Sequence, residues 1–115
     1  MNYTSKEQSE KLVELGLDQS TADMFYTSLD DYKTPWVWVS KPGMHPNDIP
    51  CWSIGALIEL TPIINGETAV AGKAFPEKYV CSYRSNPNIQ FGDTLNDAVY
   101  NMIVWLLQNN YIKKG

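Results

Sequence analysis

Histidine and cysteine, the side chains that most often carry nucleophilic or metal chemistry, are scarce in this sequence. It holds one histidine, His45, and two cysteines, Cys51 and Cys81. A structural zinc site needs four nitrogen or sulfur ligands, and the closely spaced pairs that mark such sites are missing. No surrounding motif would activate either thiol. We therefore predict a non-enzymatic protein with no catalytic residue, no metal and no cofactor.

Long hydrophobic runs and an excess of basic residues are also missing. No apolar run approaches the roughly 20 residues that cross a bilayer, and residues 1–11 lack the apolar centre of a signal peptide. The chain has 9 Lys and Arg against 13 Asp and Glu, a formal net charge of −4. Since Lys and Arg supply most non-specific affinity for phosphates, this balance disfavours nucleic acid as a partner. We expect a cytoplasmic protein with reduced thiols and no membrane association.

The composition that remains is that of a folded domain. The chain has 115 residues, of which 43% are apolar and 19% charged. This length suits one core of ordinary size, and the sequence shows no internal repeat, linker or low-complexity segment. It predicts a single domain spanning residues 1–115.

Helix signals open the chain. Thr4-Ser5-Lys6-Glu7 matches a capping box with Thr4 as the N-cap, and Gly16 suits the left-handed position that ends a helix. The apolar residues between them share one arc, namely Leu12, Val13 and Leu15. Asp18 can cap a second, shorter helix that runs through Met24. These signals predict an N-terminal helical hairpin.

Strand signals occupy the middle of the chain. Trp36-Val37-Trp38-Val39 has the composition of a strand that is apolar on both faces, which predicts a central strand. Ser53 can cap a short middle helix that ends before Pro62. Asn65-Gly66 is a strong hairpin-turn signal, and the alternation from Tyr79 to Tyr83 predicts a further strand in an antiparallel sheet.

The last helix is the strongest periodic segment. Asp93 or Thr94 can cap it, and one continuous apolar face is predicted to pack on the core, formed by Leu95, Ala98, Val99, Met102, Ile103 and Leu106. Four further residues project elsewhere and form a predicted interface: Tyr100, Val104, Trp105 and Leu107. A helix this apolar is either deeply buried or covered by a partner.

These elements predict an α+β fold. A small antiparallel sheet of about three to four strands would pack against the N-terminal helical hairpin, the short middle helix and the long C-terminal helix.

A second candidate surface surrounds residues 41–50. This stretch contains three prolines and a glycine, so it is predicted to be a surface loop. The predicted binding patch beside it consists of Trp36, Trp38, His45, Asp48 and Trp52. Two interpretations stay open, because these aromatic rings can pack in the core or can stack on a base, sugar or peptide.

Three stretches resemble a known group of proteins. They are Glu7-Gln8-Ser9 leading to Leu12-Val13-Glu14-Leu15-Gly16-Leu17, then Pro50-Cys51-Trp52-Ser53-Ile54-Gly55-Ala56-Leu57, and finally Ala98-Val99-Tyr100-Asn101-Met102 with Trp105-Leu106-Leu107. Together they resemble short uncharacterised proteins carried by prophages and integrative elements of gut bacteria. The matching motifs are structural in character, so the resemblance implies a mobile-element accessory protein and no catalytic residue.

The leading hypothesis is a non-enzymatic accessory protein that acts by contact with a protein partner or by forming a homodimer. The alternative is a small ligand-binding protein or hydrolase with a pocket beside residues 41–50, where His45, Asp48 and Cys51 lie close in sequence. Single-stranded nucleic-acid binding ranks third.

Overall fold

The computed structural model describes residues 2–38, 47–74, 76–84 and 88–115. Within them the chain has an α+β fold with two three-stranded antiparallel sheets, where the sequence predicted one. The helices are α1 (Lys6–Glu14), α2 (Ile54–Glu59) and α3 (Leu95–Gln108). The strands are β1 (Met24–Tyr26), β2 (Trp36–Val37), β3 (Ile49–Cys51), β4 (Val70–Ala74), β5 (Lys78–Ser82) and β6 (Ile89–Gly92). The strand orders are β2-β1-β3 and β4-β5-β6.

The core is gathered around α3. Thr94 caps this helix by accepting a hydrogen bond from the backbone N–H of Asp97. The predicted core face is confirmed, since Leu95 is half-buried and the other members are fully buried, namely Ala98, Val99, Met102, Ile103 and Leu106. Residues from both halves of the chain complete the same core, among them Leu12, Trp52 and Leu57.

Helix α1 begins one residue later than predicted. Ser5 is the N-cap, and its hydroxyl and the Gln8 side chain form the reciprocal capping box. Thr4 is buried instead, because its backbone N–H donates to the carbonyl of Trp52 at 2.9 Å and its hydroxyl contacts that of Ser9 at 2.7 Å. Pairing between the chain start and the Trp52 segment therefore sets the position of the cap.

The predicted N-terminal helical hairpin is only half present. Gly16 ends α1 with φ +91°, as expected, and Asp18 caps the next element. That element is a single 3-10 turn, Gln19–Thr21, and the chain then enters β1. Strand pairing explains the difference: Met24–Tyr26 has strand-forming composition and pairs on one side with β2 and on the other with β3.

Strand β2 also departs from its prediction. Trp36–Val37 was predicted to be a central strand, but it is an edge strand of two residues, and the central strand of this sheet is β1. The other edge is β3, which contains Pro50. A proline is compatible with an edge strand because no neighbour needs its missing N–H.

The middle of the chain follows its predictions more closely. Ser53 caps α2 by accepting from the N–H of Ala56, and the helix ends before Pro62. Asn65 and Gly66 have φ of 52° and 79°, the conformation of the predicted tight turn, although only an isolated bridge flanks it.

Candidate functional site

The sheet β4-β5-β6 has two faces of different character. In antiparallel pairs, directly opposed residues point to the same face. The face that carries Cys81 packs against α3, although its two β4 residues, Ala71 and Lys73, are exposed. The opposite face, here called the outer face, carries apolar side chains in two cross-strand rows. One row is Val70, Ser82 and Ile89, and the other is Gly72, Val80 and Phe91.

The outer face is exposed over most of its apolar area. Val70 is 62% exposed, Ile89 49% and Phe91 55%. Val80, between them on the central strand, is half-buried. Sheets with one solvated face ordinarily place polar residues on that face. Here Gln90, the polar residue of β6, points inward instead, and Ile89 and Phe91 meet water.

Gly92 explains why Ile89 and Phe91 of β6 face away from the core. A Cβ added to it would lie 2.5 Å from the backbone nitrogen of Ala98 and 2.7 Å from the Cβ of Asp97. The first turn of α3 is therefore in direct contact with the inner side of β6. No larger side chain fits there, so Ile89 and Phe91 occupy the outer face.

The two edges of this sheet differ as well. The side-chain amide of Asn101, on α3, donates to the backbone carbonyl of Phe91 at 2.8 Å, which fits a carbonyl that points away from β5. Backbone N–H and C=O groups alternate in direction along a strand. With the Phe91 carbonyl in that orientation, the backbone groups of Val80 point toward β4 and those of Gly72 point toward β5. The N–H and C=O groups of Ala71 and Lys73 consequently point out from the β4 edge. Within the described ranges β4 is an edge strand and has no strand neighbour on that side.

Positive charge lies beside the open β4 edge. Lys73 and Arg84 are exposed, and Arg84 lines a hollow of about 280 Å³ with Val70 at the start of β4. In the described part of the chain, the ion pairs join Lys6 with Glu10, Lys11 with Glu14 and Lys78 with Asp93, so none involves Lys73 or Arg84. The nearest acidic residues along the chain are Glu67, which lines the same hollow, and Glu77 in the β4–β5 turn.

The predicted binding patch does not come together as one surface. Trp36 is 47% exposed, whereas Trp52 is fully buried and donates its indole N–H to the Thr21 hydroxyl at 2.9 Å. The ring of Trp52 therefore cannot stack on a ligand, because the core encloses it. Trp38 is half-buried and packs edge-on against Phe25, with ring centroids 6.5 Å apart. Asp48 is buried, and His45 lies outside the described residues.

The predicted interface on α3 is largely covered. Leu107 is fully buried and belongs to the core, which removes it from any surface of the folded chain. The remaining three residues are half-buried against the core, namely Tyr100, Val104 and Trp105. Trp105 also stacks on Tyr111, with centroids 5.3 Å apart and ring planes 16° apart. Burial raises the pKa of Tyr100.

The cysteines are core residues. Cys51 and Cys81 are free and buried. Burial raises the pKa of the Cys51 thiol, although hydrogen bonds from Thr4 oppose the shift, and burial alone raises the pKa of Cys81 to about 11. Both thiols are therefore protonated near neutral pH, and a protonated thiol is a poor nucleophile. Among the described residues, no group of three His, Cys, Asp or Glu side chains is placed to hold a metal ion.

A surface hollow of about 400 Å³ lies next to the end of the 41–50 segment, where the alternative function places a pocket. Glu10, Glu14 and Asp48 line it together with Val13, Gln19, Ile49 and Pro50. Two of its three carboxylates, Glu10 and Glu14, already pair with Lys6 and Lys11. Cys51 is not part of its lining, so the hollow contains no thiol for a hydrolase.

Two observations cover the whole described chain. None of the described helices has the length and apolar character that crossing a membrane requires. Comparison with known proteins found no matching family model, no matching curated protein and no matching solved structure.

Proposed function

We propose that this protein acts by binding another protein through the outer face of the β4-β5-β6 sheet and its open β4 edge. The observation that carries the proposal is the set of exposed apolar side chains on this one face of the sheet, Val70, Ile89 and Phe91. Contiguous exposed apolar surface of this kind is typical of contact sites. An accessory role in the cytoplasm, in keeping with the resemblance to mobile-element proteins, belongs to the same proposal.

The outer face is small, which indicates that a partner also contacts the β4 edge. Three strands spaced about 4.8 Å apart, each about five residues long, present a face of only about 240 Å². A standard stable interface buries about 800 Å² on each partner. The outer face alone is therefore too small for a stable back-to-back dimer, and a partner must also use a neighbouring surface.

Site-directed photo-crosslinking tests the proposal. A photoreactive phenylalanine analogue replaces Phe91 in one variant and Leu29 in another, and each is irradiated in lysate of the native host. Leu29 is the matched control because it is apolar and 81% exposed but lies outside this sheet. We expect a discrete adduct from position 91 only, and its loss when Ile89→Lys is added.

Circular dichroism shows whether the Ile89→Lys variant is folded. Equal adducts from positions 91 and 29, or an adduct at 91 that survives Ile89→Lys in a folded protein, would contradict the proposal.

A further inference from the structure

The open edge of β4 and its charge identify the kind of segment that fits this surface. A strand added beside β4 would meet the outward N–H and C=O groups of Ala71 and Lys73, two residues on alternate positions of a five-residue strand. This pattern is the one that an extended peptide uses when it extends a sheet. The β6 edge does not offer the same pattern, because Asn101 already binds the carbonyl of Phe91.

The charge of Lys73 determines which kind of strand can pair with that edge. It lies in the outward-bonding row near the middle of β4, and cross-strand pairs of opposite charge stabilise a sheet whereas like charges destabilise it. A second copy of this chain, paired antiparallel with Gly72 opposite Gly72, would bring the two Lys73 side chains to diagonal positions. A lysine on an edge strand also protects that edge against pairing with chains that do not neutralise its charge, a second copy included. The edge therefore disfavours self-association.

The same charge favours an acidic partner. Lys73 and Arg84 lie on the β4 side of the sheet with no ion pair to the described residues. A carboxylate opposite Lys73 would neutralise it, and an apolar residue at the next position, opposite Gly72, would extend the row formed by Val80 and Phe91. This complementarity requires alternation of acidic and apolar residues in the partner.

We infer that β4 accepts an extended segment of another protein in which acidic and apolar residues alternate, with an acidic side chain opposite Lys73. The inference rests on the proposed function, since it specifies what the same surface binds. The added strand extends the sheet to four strands and enlarges the apolar outer face.

The test uses two labelled synthetic peptides of seven residues. One has the sequence Thr-Val-Glu-Val-Glu-Val-Thr with blocked ends, and in the other lysine replaces both glutamates. Fluorescence anisotropy gives their affinities for the full chain at low salt, and amide NMR shifts locate the contact. We expect the acidic peptide to bind more tightly and to shift the amides of Ala71 and Lys73.

Two substitutions make the test specific. Lys73→Glu should weaken binding of the acidic peptide by about fivefold or more and should strengthen binding of the basic one, as expected for a cross-strand charge pair. Lys113→Glu is the matched control, since it makes the same change in net charge at an exposed residue near the chain end. Ala71→Pro removes an outward N–H, which an edge strand tolerates, and should abolish binding of both peptides.

Several results would overturn the inference. They are equal affinity for the two peptides, equal effects of Lys73→Glu and Lys113→Glu, or retained binding in a folded Ala71→Pro variant. Concentration-dependent dimers in sedimentation that Ala71→Pro abolishes would assign the edge to a second copy instead. A failed peptide experiment with a specific adduct at position 91 would overturn this inference alone, and failure of both experiments would overturn the proposed function as well.

Discussion

The two sheets of this molecule have three strands each but are held in place differently. In the first sheet, β2-β1-β3, strands of two or three residues are fixed by polar side chains that are distant in sequence. The Asp23 carboxylate accepts from the backbone N–H and hydroxyl of Ser53, and the Tyr26 hydroxyl donates to the carbonyl of Thr4. In the second sheet, β4-β5-β6, longer strands pack their inner face on α3. Hydrogen bonds thus position one sheet, and close packing positions the other.

This difference has a consequence for function. Close packing against α3 covers the inner face of the second sheet, and the same contact forces the apolar side chains of β6 outward. The proposed contact surface is therefore a product of how tightly the helix and the sheet approach each other. The predictions below test this dependence, from the largest expected effect to the smallest.

The largest effect is expected where α3 meets β6. Gly92→Ala would place a Cβ 2.5 Å from the Ala98 nitrogen, and because that contact is with backbone it cannot be relieved by a rotamer change. Overpacking of this kind costs about 3 kcal/mol in free energy of unfolding. Urea denaturation measures the loss.

Gly72→Ala is the matched control in the same sheet, because a Cβ there meets nothing within 4 Å. Alanine loses less conformational entropy than glycine in a strand, so this variant should be neutral or up to about 1 kcal/mol more stable. Similar destabilisation by both substitutions would show that the helix contact does not control the second sheet.

The buried thiols offer a second comparison, because each sheet contains one. The Cys51 sulfur lies 3.6 Å from the Thr4 hydroxyl and 3.3 Å from its carbonyl, so a serine hydroxyl at position 51 would find partners. No hydrogen bond within the described ranges reaches the Cys81 sulfur. Cys81→Ser should therefore cost about 2 kcal/mol in free energy of unfolding, and Cys51→Ser less than about 1 kcal/mol.

Chemical denaturation of the two serine variants and of Cys81→Ala checks this order. Alanine at position 81 buries no polar group and should be tolerated better than serine. If Cys51→Ser proved the more damaging substitution, the distinction between a hydrogen-bonded sheet and a packed sheet would be wrong.

The same distinction explains what could be predicted from the sequence. Helix α3 and strand β5 were recognisable because apolar packing imposes the periods of 3.6 and 2 on their residues. Strands β1 and β3 were missed, since three residues are too few to show a period and β3 contains Pro50. The polar contact between Asp23 and Ser53 spans 30 positions and leaves no local pattern.

The candidate site was missed for a different reason. Ile89-Gln90-Phe91-Gly92 does alternate between apolar and other residues, so a strand signal is present. Periodicity identifies which residues share a face, but it does not say which face is buried. Sequence reasoning assigns the apolar face to the core, and here the contact of Gly92 with α3 reverses that assignment.

The smallest effect is expected from the ion pair between Lys78 and Asp93, which lie across from each other at one end of the β5–β6 pair. The hydrogen bond and the charge of Lys78 hold the pKa of Asp93 below its ordinary value. A carboxyl whose pKa is lower in the folded state stabilises that state above its unfolded pKa of about 3.9 and loses this contribution as pH falls through the folded value. Wild type should therefore exceed Asp93→Asn in stability at pH 6, and the difference should shrink as the pH falls below the ordinary pKa of the carboxyl, about 3.9.

Unfolding of both proteins at a series of pH values measures this difference. Both side chains are largely exposed, so added salt should also reduce it. In a Lys78→Met background, Asp93→Asn should lose most of its effect on stability, because the partner charge has been removed. If the effect of Asp93→Asn is the same with and without Lys78, then Asp93 stabilises the fold by some other contact, and backbone pairing together with packing on α3 holds β5 and β6 in place without this ion pair.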